Sequence, residues 1–437
     1  MARVLHRLDR VRVSFDDPNL VANAGLLLVG TLVVRLELER IVNALVRLGG
    51  RVGGARPGRK VLTLVHAMVA GGSHIDHADV LRAGNTASVL PHRVMAPSTL
   101  GTFLRSFTFG HVRQLEAVVG EVLRRAWQMG AGPGASRVVL DLDSTICEVA
   151  GKLKAGAAYG YTKVLGYHPL LASRADTGEV LHARLRKGSA STARGARRFV
   201  EELIARVRRA GASGEIVVRM DSGFWSGDTI ATLGRLGVRY TMAVRANTKG
   251  ISRAIATIDD AAWRAIDYSA AGEAQVAETI YKGRRLIVRR TRLTDPHQAR
   301  LWPDWRHFAF LTDLDGDAVA LDEFHRAHAT VELDIRDLKE GSGLEHLPSG
   351  SFDANSAWLQ CAVLAHNLTR WTVTIGEPTP VEHRTVARTV RFQLINVPGR
   401  MVNHAGTPTL RAPLHWPWQE WFHRRLDTLR ALLPQPA

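Results

Sequence analysis

Residues 137–145 read RVVLDLDST. The β-branched, apolar run Arg137–Asp143 predicts a strand that ends on a carboxylate and is followed by two hydroxyl side chains. With a side-chain period of two, Asp141 and Asp143 share one face of that strand. A second stretch of the same character, Glu215–Asp221 (EIVVRMD), also ends on an aspartate, ahead of Ser222–Gly223–Phe224. Around these lie strands over Tyr167–Ala175 and Glu179–Arg186, joined by the turn Asp176–Thr177–Gly178. An amphipathic helix follows over Ala193–Ala210, with Phe199, Leu203, Val207 and Ala210 on one face. A helix over Gly227–Leu236 and a strand over Arg239–Arg245 complete the series. The order β-β-β-α-β-α-β predicts an α/β core with its acidic residues at strand ends.

Upstream, residues 1–130 carry helical spacing at Gly25–Leu48, Lys60–Ala70 and His77–Arg82. A further pair of helices is expected from Pro97–Ser98–Thr99 through Phe103 to Arg125. Helix, Gly-containing turn and helix is compatible with a DNA-binding helix-turn-helix, and equally with a plain bundle. Gly130–Ser136 (GAGPGAS) reads as a linker. Downstream, 248–314 reads as a separate β-rich piece, helical pattern returns in 315–375, and 376–437 holds a hairpin and a final helix. The expected units are therefore 1–130, 137–247, 248–314, 315–375 and 376–437.

The chain has 437 residues, 58 Lys plus Arg against 41 Asp plus Glu, and a net charge of +17. Such a length buries a substantial core, and 46% hydrophobic with 23% charged residues excludes a disordered or collagen-like chain. No run reaches the roughly 18 apolar residues of a membrane span, and no secretory leader follows the basic Met1–Arg12 stretch. The expectation is a soluble, intracellular protein. Two cysteines, Cys147 and Cys361, provide neither a disulfide framework nor a four-cysteine zinc site. Of the 58 basic residues 8 are lysine and 50 arginine. A GC-rich genome accounts for arginine over lysine, but not for the excess of positive over negative charge. Nucleic acid is the expected partner.

The helix expected over Leu321–Lys339 supplies a third acidic point, Glu332. His325, His328, Glu332, Arg336 and Lys339 fall on one face. Phe324, Ala327, Val331, Ile335 and Leu338 fall on the adjoining one and would anchor it. Carboxylates at two strand ends and on a neighbouring helix can converge on two divalent cations roughly 3.5–4 Å apart, the arrangement that clamps a phosphodiester displacement. All-oxygen ligands suit Mg²⁺. A zinc site from His325, His328 and Glu332 lacks any supporting motif, and by pattern alone a solvated amphipathic helix with an i,i+4 Glu–Arg pair is the favoured reading.

Taken as an ordered set, LDLDST (140–145), YHPLLASRADTGEVLHARLRKGS (167–189), RMDSGF (219–224) and HATVELDIRDLK (328–339) resemble a bacterial DDE transposase of the insertion sequence 1380 family. ANSAWLQCAVLAHNLTRW (354–371), DHADVLRAG (76–84) and APSTLGTFLRSF (96–107) extend the resemblance over nearly the whole chain. It implies a ribonuclease H-like catalytic core with a β-rich insertion, preceded by a helical DNA-binding region. The implied activity is Mg²⁺-dependent cleavage and strand transfer at terminal inverted repeats, with two ions and Mn²⁺ as substitute. Double-stranded DNA, as repeat and target, is the implied partner of a homodimer in a synaptic complex at the bacterial nucleoid.

By motif, the metal-binding catalytic triad is Asp143, Asp221 and Glu332. Asp141 is a supporting residue or an alternative ligand. A related Tyr-Arg-Glu-Lys signature falls on positions 325, 328, 332 and 339. Glu332 and Lys339 match it, whereas His325 and His328 stand where phosphate-contacting residues are expected, so Arg326 or Arg336 would have to substitute. DNA contact is thus assigned to His325, His328, Arg336 and Lys339. Trp263, Trp302 and Trp305 in the insertion are either core residues or base-stacking ones. Three rival readings remain: a catalytically impaired transposase-derived DNA-binding protein, a haloacid-dehalogenase-like phosphatase using Asp141 as nucleophile, and a DDE-type nuclease that cuts without joining.

Overall fold

The computed structural model describes residues 11–160, 162–268, 272–293, 305–377 and 385–433. Trp302 and the basic residues Arg3, Arg7 and Arg10 lie outside them. The central feature is a nine-stranded mixed sheet. Its strands, in chain order, are β1 (Val138–Ser144), β2 (Leu170–Arg174), β3 (Val180–Arg184), β4 (Ile216–Met220), β5 (Arg239–Val244), β6 (Arg264–Ile266), β7 (Gly272–Tyr281), β8 (Arg284–Leu293) and β9 (Arg306–Thr312). Spatially they run β6-β7-β8-β9-β5-β4-β1-β2-β3. Only β1-β4 and β4-β5 pair in parallel, and these strands are nearly continuous apolar runs, as expected of parallel strands covered on both faces.

The segment expected to stand apart is instead an extension of this sheet. The long hairpin β7-β8 turns at Lys282–Gly283, both with positive φ, 50° and 71°, the backbone of a tight hairpin turn that glycine accommodates at no cost. β9 then joins β8 on one side and β5 on the other, with Ala309 opposite both Val288 and Val244. One uninterrupted ladder therefore carries the hairpin away from the acidic strand ends. The spacing of the sequence does not reveal this, because β9 pairs backwards with a strand that precedes the hairpin.

Helices α1 (Leu26–Arg35), α2 (Leu38–Leu45), α3 (Pro57–Val69), α4 (Pro97–Arg105) and α5 (Phe109–Ala126) precede the sheet. The pair of helices expected from Pro97 to Arg125 divides at Ser106–Thr108, where the Thr108 N–H donates to His111 Nδ1 at 3.2 Å and opens the second helix. His77–Arg82 lies in a 3₁₀ segment, Ile75–Arg82, rather than an α-helix. After β3 come α6 (Ala196–Ala210), α7 (Gly227–Arg235), α8 (Lys249–Ile255), α9 (Ala318–Arg326), α10 (Thr330–Gly341) and α11 (Phe352–Thr374). α11 is buried around almost its whole circumference, as a helix in the middle of a domain must be. It packs on α1, α3, α4, α5 and β3, so the first five helices share its core. The tail forms the hairpin Gly399–His404 with Thr407–Arg411, against which Leu20–Val21 pairs, and the helix Gln419–Ala431. Among the described residues no helix is long and apolar enough to cross a membrane.

One buried carboxylate ties these parts together. Glu179, at the start of β3, accepts from Trp127 Nε1 at 2.9 Å and Trp371 Nε1 at 2.6 Å, and Arg174 Nη1 lies 3.3 Å away. Those donors come from the end of α5, from α11 and from β2. Glu179→Ala leaves two indole N–H groups buried without their acceptor and removes the buried carboxylate beside Arg174, which keeps the Ala131 carbonyl and Asp176. It should cost about 3–5 kcal/mol in urea unfolding, and a loss below about 1 kcal/mol would contradict this role.

Candidate active site

Period and register build the site. In the parallel pair β1-β4, Asp141 lies opposite Arg219 and Leu142 opposite Met220. One step further along the same register, Asp143 and Asp221 end up side by side at the carboxyl ends of the two strands. Two carboxylates so placed raise each other's pKa, and burial adds to the effect. Burial first, and then the charges of Asp221 and Glu332, push Asp143 up to about 6, against the pull of a 2.6 Å hydrogen bond from the Ser144 N–H. Asp221 is also raised by burial, although its Oδ1 accepts from the Gly223 N–H at 3.0 Å. Among the described residues no Lys or Arg pairs with Asp143, Asp221 or Glu332. An acidic group left without protein cations suits a divalent metal ion.

A layer below, the same face carries a different arrangement. Arg219 donates from Nε and Nη2 to the two oxygens of Asp141, both at 2.7 Å, and from Nη1 to the Phe324 carbonyl at 2.7 Å. His328 Nδ1 lies 2.8 Å from Asp141 Oδ1 and donates to it. Burial would raise the Asp141 carboxyl, but the His328 and Arg219 hydrogen bonds outweigh it and hold the group below the ordinary range. Asp141 is fully buried. It is therefore a strut between strand and helix, not an exposed nucleophile, which removes the structural basis of the phosphatase reading.

That strut also explains a departure from the expected helix. Leu321–Lys339 is not continuous: α9 ends at Arg326, a 3₁₀ turn spans Ala327–Ala329, and α10 starts at Thr330. The break falls where the Phe324 carbonyl is taken by Arg219 and the His328 ring by Asp141. Beyond it Val331, Ile335 and Leu338 are buried as expected, while Ala327 is exposed. Asp334 and Asp337, also buried on α10, face Arg370 of α11 at 3.5 and 3.2 Å. Glu332 and Arg336 are left exposed and Lys339 half-buried, with Lys339 Nζ donating to the Ile146 carbonyl at 3.0 Å.

Glu332 borders two cavities. A cleft of about 410 Å³ brings it together with Asp143, Ser144, Thr145, Arg336 and Lys339. A groove of about 1680 Å³ runs from Glu332, Ser222 and His328 towards Trp263, Arg289 and Phe308 of the extended sheet. His325 sits in that groove with Nδ1 2.7 Å from Thr241 Oγ1 and its ring stacked on Phe310 at 4.3 Å. Burial, with His328 and Arg219 nearby, lowers its pKa to about 3, so it is neutral. Trp263 and Trp305 flank the Arg290 guanidinium at 4.2 and 4.6 Å.

The sequence reading assigned no role to Arg219 or Thr241. The signal for Arg219 was present: it stands two residues before Asp221, the same offset that relates Asp141 to Asp143. Thr241 becomes visible only once β5 is known to lie beside β4. A second carboxylate–imidazole group, Glu116, His182 and Glu202, has ligand atoms within 4.8 Å of one another. Arg113 and Arg184 pair with both of its glutamates, so its charge is already matched by the protein. Burial pushes His182 down to about 3. It is a structural network, unlike the Asp143 group.

A raised Asp143 stabilises the fold below its unfolded pKa, and that contribution is lost as pH rises through about 6. In chelator-treated protein, Asp143→Asn should therefore raise Tm by a few degrees (about 2–4 °C) near pH 7 and change it little near pH 4. A lowered Tm at both pH values would exclude an uncompensated acidic pair.

Comparison with known proteins places this geometry in context. Residues 4–434 match the family model described as Transposase DDE domain, group 1. Among solved structures, the chain resembles the piggyBac transposase synaptic complex with hairpin DNA. Identity is 12%, the TM-score is 0.49, and 93% of this chain and 86% of that one are covered. No curated protein sequence matches.

Proposed function

The chain belongs to the transposase DDE domain group 1 family and is a DDE transposase. From that premise we propose that it cuts and rejoins DNA at the terminal inverted repeats of its own insertion sequence, a member of the insertion sequence 1380 family. Asp143, Asp221 and Glu332 are the catalytic, metal-holding triad of a ribonuclease H-like core. The observation that carries this reading is the convergence of two unneutralised strand-end carboxylates beside a cleft that Glu332 also borders. All three offer hard oxygen ligands, which fits Mg²⁺, with Mn²⁺ as substitute. Two bound Mg²⁺ ions would supply Lewis-acid activation of the attacking water and charge stabilisation at the leaving 3′ oxygen.

The protein's own groups do the rest. Asp141, Arg219 and His328 hold strand and helix in register beneath the triad. Arg336 and Lys339 grip backbone phosphate beside Glu332, contributing affinity without sequence information. His328 acts through Asp141 and His325 through Thr241, which leaves phosphate contact at those two positions to their outward atoms alone. Strand cleavage exposes a 3′ hydroxyl that attacks the target strand. The first five helices, within 1–130, read the repeat sequence; the described residues of 248–314 contribute the far wall of the groove, and those of 376–437 close the fold around α11. A homodimer holds two element ends together at the bacterial nucleoid.

A labelled duplex carrying the element's end tests this. Wild-type protein should nick it with Mg²⁺ or Mn²⁺, and Glu332→Gln should lower the rate at least about 100-fold with binding retained. Specific binding without cleavage in either metal would favour the catalytically impaired DNA-binding protein instead.

A further inference from the structure

The segment Lys187–Gly195, between β3 and α6, lies against both acidic strand ends. Ser144 Oγ and Thr192 Oγ1 are 3.1 Å apart. A Cβ added at Gly223 would come within 2.8 Å of the Thr192 Cβ, so only glycine lets the Asp221–Ser222–Gly223 turn approach this closely. The proposed function uses none of this loop.

Its backbone is held in an unusual way. The buried Arg186 guanidinium donates from Nη1 to the carbonyls of Ser191, Thr192 and Arg194 at 2.8, 3.1 and 2.9 Å, and from Nε to the His168 carbonyl at 2.9 Å. His168 Nδ1 donates to the Ala190 carbonyl at 2.7 Å. Four loop carbonyls are thus drawn inward. In a trans peptide the N–H points opposite to the C=O of the same unit. The N–H groups of Ser191, Thr192, Ala193 and Gly195 must therefore point away from Arg186 and His168. Among the described residues none of the four has an acceptor. Ser191, Ala193, Arg194 and Gly195 are exposed, as is Lys187, and neither Lys187 nor Arg194 has an acidic partner among the described residues. Gly195 takes φ 78° to turn the chain into α6.

Successive outward N–H groups form an anion-binding concavity, here flanked by two free cations and beside the acidic pair. We propose that this loop binds a backbone phosphate of the DNA strand held at Asp143 and Asp221, with Arg186 as the positioning residue that pre-forms it. The inference rests on the DNA-cleaving reading above and deepens it. A carbonyl-lined loop would repel phosphate; drawing those carbonyls onto one buried cation removes that repulsion and fixes the donors before DNA arrives.

Full-length protein in the Asp143→Asn background, with a labelled duplex of arbitrary sequence, tests it. The surface double variant Lys187→Ala, Arg194→Ala should bind about 10-fold more weakly, with a log–log salt slope shallower by about one to two. Arg186→Met, with both cations intact, should also weaken binding several-fold, and Arg186→Lys should recover part of it. If Arg186→Met fails to fold, the double variant decides. Wild-type affinity and salt slope in the double variant, while Arg336→Ala lowers both, would overturn the loop's role and leave the transposase reading standing. Absence of DNA binding and metal-dependent cleavage by the wild type would overturn both.

Discussion

A guanidinium buried in the middle of a sheet has to find acceptors for its donors, and Arg219 finds them in two different elements. Asp141 of β1 takes two donors and the Phe324 carbonyl of α9 a third, while the Phe324 ring lies 5.1 Å from the guanidinium carbon. A planar fork tolerates little angular error. The strand that carries Asp143, the strand that carries Asp221 and the end of the helix that leads to Glu332 are thereby fixed against one another. The acidic pair has no such support of its own. Two adjacent carboxylates repel, so in the absence of a cation their geometry must be imposed from below. Asp141, with His328 as its further donor, supplies that constraint.

The sheet extends the same logic sideways. Because β9 pairs with both β8 and β5, the hairpin β7-β8 is part of a continuous ladder and not a tethered module. The wall of the large groove, including Trp263, Arg289 and Phe308, keeps its position relative to the strand ends through backbone hydrogen bonds rather than through a linker. His325 joins this wall to the floor, stacking on Phe310 of β9 while contacting Thr241 of β5. Its low pKa follows from that burial. A neutral imidazole serves there as a packing and hydrogen-bonding piece where an arginine would carry an unpaired charge into the sheet.

Much of this could be read from the chain alone, and the divide is instructive. Strands ending in Asp143 and Asp221 were legible because buried parallel strands are simple apolar runs. The acidic face of α10 was legible because Val331, Ile335 and Leu338 repeat at helical spacing. What escaped were pairings between distant segments: β9 returning to β5, the break at Ala327–Ala329 imposed by Arg219, and the burial of His325. None of these has a local signal, since each depends on which strand lies next to which. Asp141 fell between the two cases. Period placed it on the face of Asp143, but only the partner strand, with Arg219 directly opposite, separates a strut from a ligand.

Composition pointed to nucleic acid, but the structure divides the arginines into two populations. Arg425 is fully buried and donates to the Thr372 and Ile375 carbonyls and to Glu377. Arg206 donates to the Leu181 and Glu116 carbonyls. Arg186 and Arg219 belong to the same kind. Such residues satisfy backbone acceptors inside the fold and offer no charge to a ligand, so arginine content alone overstates the basic surface. The charges that bear on a polyanion are the exposed ones without acidic partners near the Asp143 strand end, and in a chain of net charge +17 they stand beside three carboxylates that the protein leaves unneutralised. That juxtaposition is the physical statement of the problem the site solves. Two like-charged bodies, a phosphate backbone and an acidic pair, must be brought together, and flanking cations with outward N–H groups lower the repulsion that bound metal does not cancel.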